Sequence, residues 1–495
     1  MRLSTKIGVA PIIALALLAA GCDNSNLTGV NHNPNAPPSV KPQFLFPSAV
    51  TNVVGIARGG GFDLTLTSLW SQQIAMDRFT DEDTYSIRSD NINGYWSGFY
   101  AGGLQDLATI LVQTDAATKP NLVAPALVMK SWTFGIMTDM WGDIPYSQAN
   151  LSDPSKPPAY DPQKNIYAGI LADLKQANTL SVVGPAGYGS ADVVYNGDAT
   201  KWKKFANSLR LRYALRLSKV DPATAQTEVG AAIAAGVFTS NADNALLRWP
   251  GDGTNNSPIY NNFVTRDDQH MSQTLVNTLK SLYISIGPTP ADTVFDPRLA
   301  VYADPIVSSP TKALYVGAPN GLQDDAAIAI GITNTSRVGI AYRGIATPSI
   351  LMAYSEVLFD EAEAAARGWA PGDAATLYNA AIQASMQYNG IPDNVTAAYV
   401  ASPRVVYSPS TGLDQIALQR WIALFSEGTE AYSSWRRTGV PDLQPGPAAI
   451  TTPHIVARRL TYPVSEQSFN NAALQAAITA QGGALLSSRV WWDKP

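Results

Sequence analysis

Side chains able to hold a ligand crowd one stretch of the chain, Asp77 to Trp96. There Arg78, Phe79, Tyr85, Arg88, Asn91, Asn93, Tyr95 and Trp96 alternate with small and polar residues. Aromatic rings cover a sugar face or a peptide side chain with a large area at low rotamer cost, and amides and charges add directional hydrogen bonds. Arg78, Phe79, Tyr85, Asn91 and Trp96 are therefore the first candidates for ligand contact. Trp96 reads equally well as core, because Tyr95, Trp96, Phe99 and Tyr100 lead into a helical pattern with Leu104, Leu107 and Leu111. A second stretch, Leu247 to Asn262, offers Trp249, Asn255, Asn256 and Tyr260 among glycines and prolines.

Residues able to make or break bonds are scarcer. Glu361 with Glu363, or Asp81 with Asp83, are the carboxylate pairs that glycoside hydrolysis would need. Residues two apart on a helix diverge, however, and an acidic run in a loop is usually solvated. No G-x-S-x-G elbow occurs, and Gly59-Gly60-Gly61 is followed by Phe62 and Asp63 without the lysine of a phosphate loop. The three histidines, His32, His270 and His454, lie far apart, and Cys22 is the only cysteine. Internal disulfides and cysteine-based zinc clusters are thereby excluded. No catalytic residue, metal or cofactor is assigned. Arg436-Arg437 beside Trp435, and Arg458-Arg459, are anion-site candidates, but such pairs more often answer carboxylates such as Glu427 and Glu430 or cap helix C-termini.

The elements that must position these residues follow from composition and period. The chain has 495 residues, 46% hydrophobic and 15% charged, with a net charge of −5. The charged fraction is below the roughly 25% of average soluble domains, yet the apolar content is ample for a core. No basic stripe is available to neutralise phosphates, which argues against nucleic acid as a partner.

At the N-terminus, Arg2 and Lys6 precede an uncharged apolar run from Ile7 to Ala20, followed by Gly21-Cys22. The run is shorter than the ~20 residues of a membrane span. It resembles a bacterial lipoprotein signal over residues 1–21, with Cys22 as the lipidated first residue, and residues 22–42, rich in Asn, Pro and Ser, read as a tether. Leu122 to Trp141 is the most apolar later stretch, and Pro125, Lys130 and Asp139 make it a core helix rather than a span.

From residue 43 to residue 495 helical period dominates. Asp161-Pro162, Asp221-Pro222 and Thr347-Pro348 read as helix starts, and Trp202, Phe205, Leu209, Tyr213 and Arg216 mark a long helix. The Thr347 helix is expected to carry Ile350, Tyr354, Leu358, Ala362 and Ala365 on one face, with Gly368 at its end. Asp373 then caps a helix with Leu377, Tyr378, Ala381 and Ile382 that ends at Gly390. Two helices joined by so short a turn form a hairpin of tetratricopeptide type, without the full repeat signature. Long loops, Ser181–Thr200, Leu247–Asp268, Gly287–Ala346 and Asn389–Thr411, would build an irregular face on this mainly α scaffold. Short β pieces are expected at Ala313–Val316 and Val338–Tyr342.

Several strings, in order, carry a resemblance: Met137 to Tyr146 (MTDMWGDIPY), Asp296-Pro297-Arg298-Leu299, Ala362-Glu363-Ala364-Ala365 with Gly368-Trp369, Trp421 to Phe425, Trp435 to Gly439, and Arg458 to Pro463. Together with Cys22 and the terminal Trp491-Trp492-Asp493 they make the chain similar to SusD/RagB-type nutrient-binding outer-membrane lipoproteins. The resemblance implies tetratricopeptide-like helix pairs carrying a loop-rich ligand face. It also implies a cell-surface lid that captures a glycan, peptide or other nutrient for a SusC-like TonB-dependent transporter. A scaffolding lipoprotein without a small ligand is the alternative, and a glycoside hydrolase a lesser one.

Overall fold

The computed structural model describes residues 40–150, 157–285, 293–309 and 311–495. Cys22, His32, the leader and nearly all of the tether lie outside the described residues, as do residues 287–292 and 310 of the long central loop. Residues 42–495 form one compact unit.

The unit is built on helices. In chain order these begin with α1 (Pro42–Ala57), a π-helical segment (Gly60–Thr67), strand β1 (Ile74–Met76), α2 (Ser89–Ser97), α3 (Gln105–Gln113), α4 (Pro120–Trp141), α5 (Gln163–Leu180), α6 (Ala199–Arg216) and α7 (Pro222–Ala235). Then come β2 (Ala245–Leu247), α8 (Pro258–Thr265), β3 (Gln269–Met271), α9 (Gln273–Ser281), β4 (Ile284–Ser285), β5 (Thr293–Val294) and β6 (Ser349–Met352). The chain finishes with α10 (Tyr354–Ala366), α11 (Ala374–Tyr388), α12 (Asp393–Val400), α13 (Gly412–Ala423), α14 (Gly428–Thr438) and α15 (Asn471–Ala480). Most helices pack on their sequence neighbours, α3 with α4, α4 with α5, α5 with α6, α6 with α7, α10 with α11 and α13 with α14, and α10 also packs on α13 and α1 on α3. Paired helices of this kind are the expected scaffold.

α4 shows why the scaffold is tight. Apart from Pro120 and Lys130, every one of its residues is buried, so it is the central rod against which other helices pack. No helix among the described residues is long and apolar enough to cross a membrane. At its end Gly142 takes φ +78°, and a Cβ there would stand 2.5 Å from Gln481 Oε1. Only glycine makes that turn without strain. Asp143 then receives the Gln163 N–H at 2.8 Å and so caps α5 across the loop.

Three sequence expectations are corrected. Asp161 is not the cap of α5, whose boundary residue is Pro162; its carboxylate instead receives the N–H groups of Tyr146 and Ser147 at 3.0 and 2.8 Å. The helix expected from Thr347-Pro348 begins only at Tyr354. Residues Ser349–Met352 are a strand paired with β2, because buried donors pull on their carbonyls: Arg58 Nε reaches Ile350 O at 2.7 Å and Trp132 Nε1 reaches Leu351 O at 3.2 Å. The β pieces expected at 313–316 and 338–342 are not strands. Val338 makes one isolated bridge to Ala303, and Ile340–Tyr342 is a single 3-10 turn. Asp221, Asp373 and Gly368 sit where the pattern put them: the first two carboxylates receive the N–H of Thr224 and Thr376, and Gly368 follows α10 at φ +70°.

Candidate ligand-binding site

Strands β1 and β3 pair antiparallel, Ile74 opposite Met271 and Met76 opposite Gln269, and the Asp77 N–H extends the ladder to Asp268 O at 3.0 Å. The chain leaving this ladder turns sharply at Phe79, which has φ +54° and an N–H donated to the Asp324 carboxylate. A bulky residue held at positive φ is a local strain that surrounding contacts must maintain. The consequence is an aromatic ring that stands 61% exposed. Arg266, just after α8, lies over that ring with its guanidinium carbon 5.5 Å from the centroid and is paired with Asp268. Arg78 pairs with Asp77 at 3.3 Å and keeps 39% of its side chain in solvent.

Around this centre the two sequence stretches meet. Asn262 of α8 packs where a Cβ on Gly60 would fall, and Tyr95 of α2 packs against Gly61 in the same π-helical segment. Glu82 receives the Asn91 amide at 3.3 Å, and burial raises its pKa against the pull of Arg88 and Arg266. Tyr260 lies half-buried on α8. The face thus holds Arg78, Phe79 and Asn91 of the sequence candidates, and Tyr260 shares α8 with Asn262.

Four candidates are placed differently. Tyr85 is 4% exposed with its ring edge-on to Trp70 at 5.7 Å, and Trp96 is 5% exposed and edge-on to Trp141 at 5.4 Å. Both rings are core and present no surface to a ligand. Trp249 is half-buried, its indole N–H on Ser349 Oγ at 2.9 Å, and Asn255 is exposed but folded into its own turn on Asp252. Neither touches Phe79 or Arg266 in the described structure. The sequence reading missed Arg266 and Asp324. Arg266 stands four residues beyond the end of the second stretch, so a longer window would have held it. Asp324 opens a short helix, Asp324–Ile330, within the stretch expected to be a long loop, with no local signal pointing to Phe79.

The carboxylate pairs of the hydrolase reading separate in space. Glu363 is buried against Arg437 and Arg367, which outweigh its burial and hold its pKa at about 2, whereas half-buried Glu361 is pushed up to about 7 by burial. Asp81 is exposed, while Asp83 is buried, receives Met76 N–H and the Asn320 amide, and is raised by burial to about 6. The arginine pairs are structural. Arg437 holds Glu363, Arg458 holds Asp493, and Arg436 and Arg459 donate to the Asp139 and Trp141 carbonyls. Their partners are thus not Glu427 and Glu430, which belong to other arginines. Among the described residues no His, Cys, Asp and Glu group could hold a metal.

A helical scaffold with an aromatic, charge-flanked loop face defines a class of binding protein, and the comparisons give its family. The SusD-like family model, described as starch-binding and associating with outer membrane, matches residues 34–463, and the chain belongs to that family. Among solved structures, a chitin-binding protein is 29% identical with a TM-score of 0.79, over 92% of this chain and 100% of that one. A chitin-binding SusD homolog from Flavobacterium johnsoniae is 26% identical with a TM-score of 0.80, over 92% and 98%. A SusD-like protein described as Bacteroidetes AC2a is 25% identical with a TM-score of 0.75, over 92% and 100%. No curated protein matches the chain.

Proposed function

We propose that this chain captures a glycan at the Phe79 face and passes it to a SusC-like TonB-dependent transporter, while a lipid on Cys22 anchors it to the outer membrane at the cell surface. The observation that carries the binding step is the exposed Phe79 ring flanked by Arg78, Arg266 and Asp324. A sugar ring stacks on the aromatic face, and the guanidiniums, with Asn91 at the margin, hydrogen-bond its hydroxyl and amide groups. The two relatives described as chitin-binding support an N-acetylated oligosaccharide as the first ligand to try.

Calorimetric titration with chitin oligosaccharides tests this. Phe79→Ala and Arg266→Ala should each weaken binding by about tenfold, or ~1.4 kcal/mol. Unchanged affinity in both variants would move the site elsewhere, and no heat with any oligosaccharide would favour the scaffold reading. For the anchor, Cys22→Ala should shift the protein from the membrane to the soluble fraction. For the partner, a detergent pull-down should recover a β-barrel transporter, and recovery of the lipoprotein alone counts against delivery.

A further inference from the structure

A cavity of about 340 Å³ opens among the loop before α6, the first turn of α6 and the chain on either side of β2, and it shares no lining residue with the Phe79 face. Pockets that take small ligands run from roughly 300 to 1,000 Å³. Its charged lining is one carboxylate, Asp192, against two cations, Lys201 and Arg248. Asp192 is 3% exposed and fully engaged, receiving the N–H groups of Val194, Tyr195 and Gly197 at 3.0, 3.0 and 2.9 Å and the Trp202 indole at 2.6 Å. Asp198 lies close by, but it is turned to the helix start, where it receives the Thr200 and Lys201 N–H groups. Asp243, 5% exposed, is held by Lys204 at 2.8 Å and by Thr239.

The cations are not matched in this way. Lys201 Nζ donates at 2.8 Å to the neutral Ala242 carbonyl, which leaves its charge without a carboxylate partner among the described residues. Arg248 is exposed, makes no ion pair with a described carboxylate, and stands close enough to Tyr195 and Tyr388 to act on both phenols electrostatically. Two cations against the single Asp192 carboxylate leave the concavity with an excess of positive charge, and the low-dielectric walls focus that field on whatever enters. An anion balances that excess. The rest of the lining is amide and ring: exposed Asn196 at φ +53°, Asn244, and Tyr195, whose hydroxyl is already donated to Asp243 O at 2.7 Å.

We infer that this cavity binds a sugar acid, a small hydroxylated ring bearing one carboxylate, with Arg248 and Lys201 on the carboxylate and Asn196 on ring hydroxyls. The guanidinium suits a carboxylate geometrically, the ammonium adds a point charge, and the amide reads hydroxyls. The inference stands apart from the glycan reading of the Phe79 face.

Titration of the full chain with glucuronate, glucose and sodium sulfate separates charge from frame. Glucuronate should bind at least about tenfold more tightly than either of the others, and raising salt from about 0.05 M to about 0.5 M should weaken it. The double variant Lys201→Gln with Arg248→Gln should lose glucuronate binding while melting as the parent does, and Phe79→Ala should keep it. Equal affinity for glucose and glucuronate would overturn the role of charge. Sulfate binding as tightly as glucuronate and displacing it would overturn the sugar-acid class in favour of a bare oxyanion site. Salt-independent glucuronate binding would also overturn the proposal, and that measurement needs no variant.

Discussion

Phe79 and Tyr85 lie six positions apart, both at positive φ, 54° and 71°, and their rings end in opposite surroundings. Phe79 is turned outward by a backbone N–H tied to Asp324, whereas Tyr85 is turned into the core against Trp70. Stability should separate the outward rings from the inward ones. Phe79→Ala should change unfolding free energy by no more than about 0.5 kcal/mol, and Trp96→Ala should cost ~3–5 kcal/mol, measured by urea denaturation. A large loss in Phe79→Ala would mean that the ring is held for packing and not for a ligand. The density of aromatic and amide residues marked, in the sequence, the stretch that carries the exposed Phe79 ring. Which ring faces solvent was not legible there, because it depends on two left-handed residues and on Asp324, which arrives from 245 positions away. The same holds for Arg266, whose place over Phe79 is a product of the β1–β3 pairing.

Among the elements, legibility followed how local the determinants are. Asp373, Thr376 and Gly368 interact within a few residues, and the α10–α11 hairpin could be read directly. Strand β6 could not, since Ile350 and Leu351 suit a helix by period and are held extended by Arg58 and Trp132, almost 300 and over 200 positions away. The α4 exit lies between these cases. Trp141-Gly142-Asp143 announces a turn followed by Pro145, yet the need for glycine is set by both φ +78° and the Gln481 side chain of the loop after α15. Gly142→Ala should therefore destabilise the protein by ~1–3 kcal/mol, combining left-handed strain with a displaced Gln481. Gly236→Ala, also at positive φ but with open space at its Cβ, should show the strain part alone. Equal losses in the two, read from urea midpoints at constant slope, would remove the Gln481 contact from the account.

At the scale of the whole molecule, the helical layers are joined by buried charge as well as by apolar packing. Arg58, Arg212, Arg216 and Arg420 face six carboxylates in one connected set: Asp63, Asp139, Glu356, Asp360, Glu427 and Glu430. The members come from α4, α6, α10, α13 and α14, with Arg58 just after α1, Asp63 in the π-helical segment and Glu427 just before α14, so the set ties distant parts of the sequence together. Trp492 closes it by giving its indole N–H to Asp139 at 2.7 Å. Four cations cannot balance six anions at low dielectric, and burial therefore pushes Asp360 to about 7 and, with Glu356 adding repulsion, Glu427 to about 8. Glu430 goes the other way: burial opposes its charge, but Arg216, Arg212 and Arg420 together hold its pKa well below the usual range. These opposite shifts set the pH profile. A carboxyl raised in the folded state favours folding fully below its unfolded pKa near 4.5, and that contribution is lost as pH rises to about 8. A carboxyl lowered in the folded state, such as Glu363 at about 2, contributes above 4.5 and is lost as pH falls through 2. Stability should accordingly fall on both sides of mildly acidic pH, and the neutral limb is shared by Glu427, Asp360 and Glu361, with Asp83 at its lower end. Glu427→Gln keeps the shape of the protonated side chain and cannot ionise, so the decline between pH 5 and pH 8 should shrink by on the order of 2–4 kcal/mol relative to the parent. Urea unfolding at several pH values across that range measures it, and a decline of the same slope in the variant would mean that Glu427 is ionised in the native protein and that the excess proton resides elsewhere in the set.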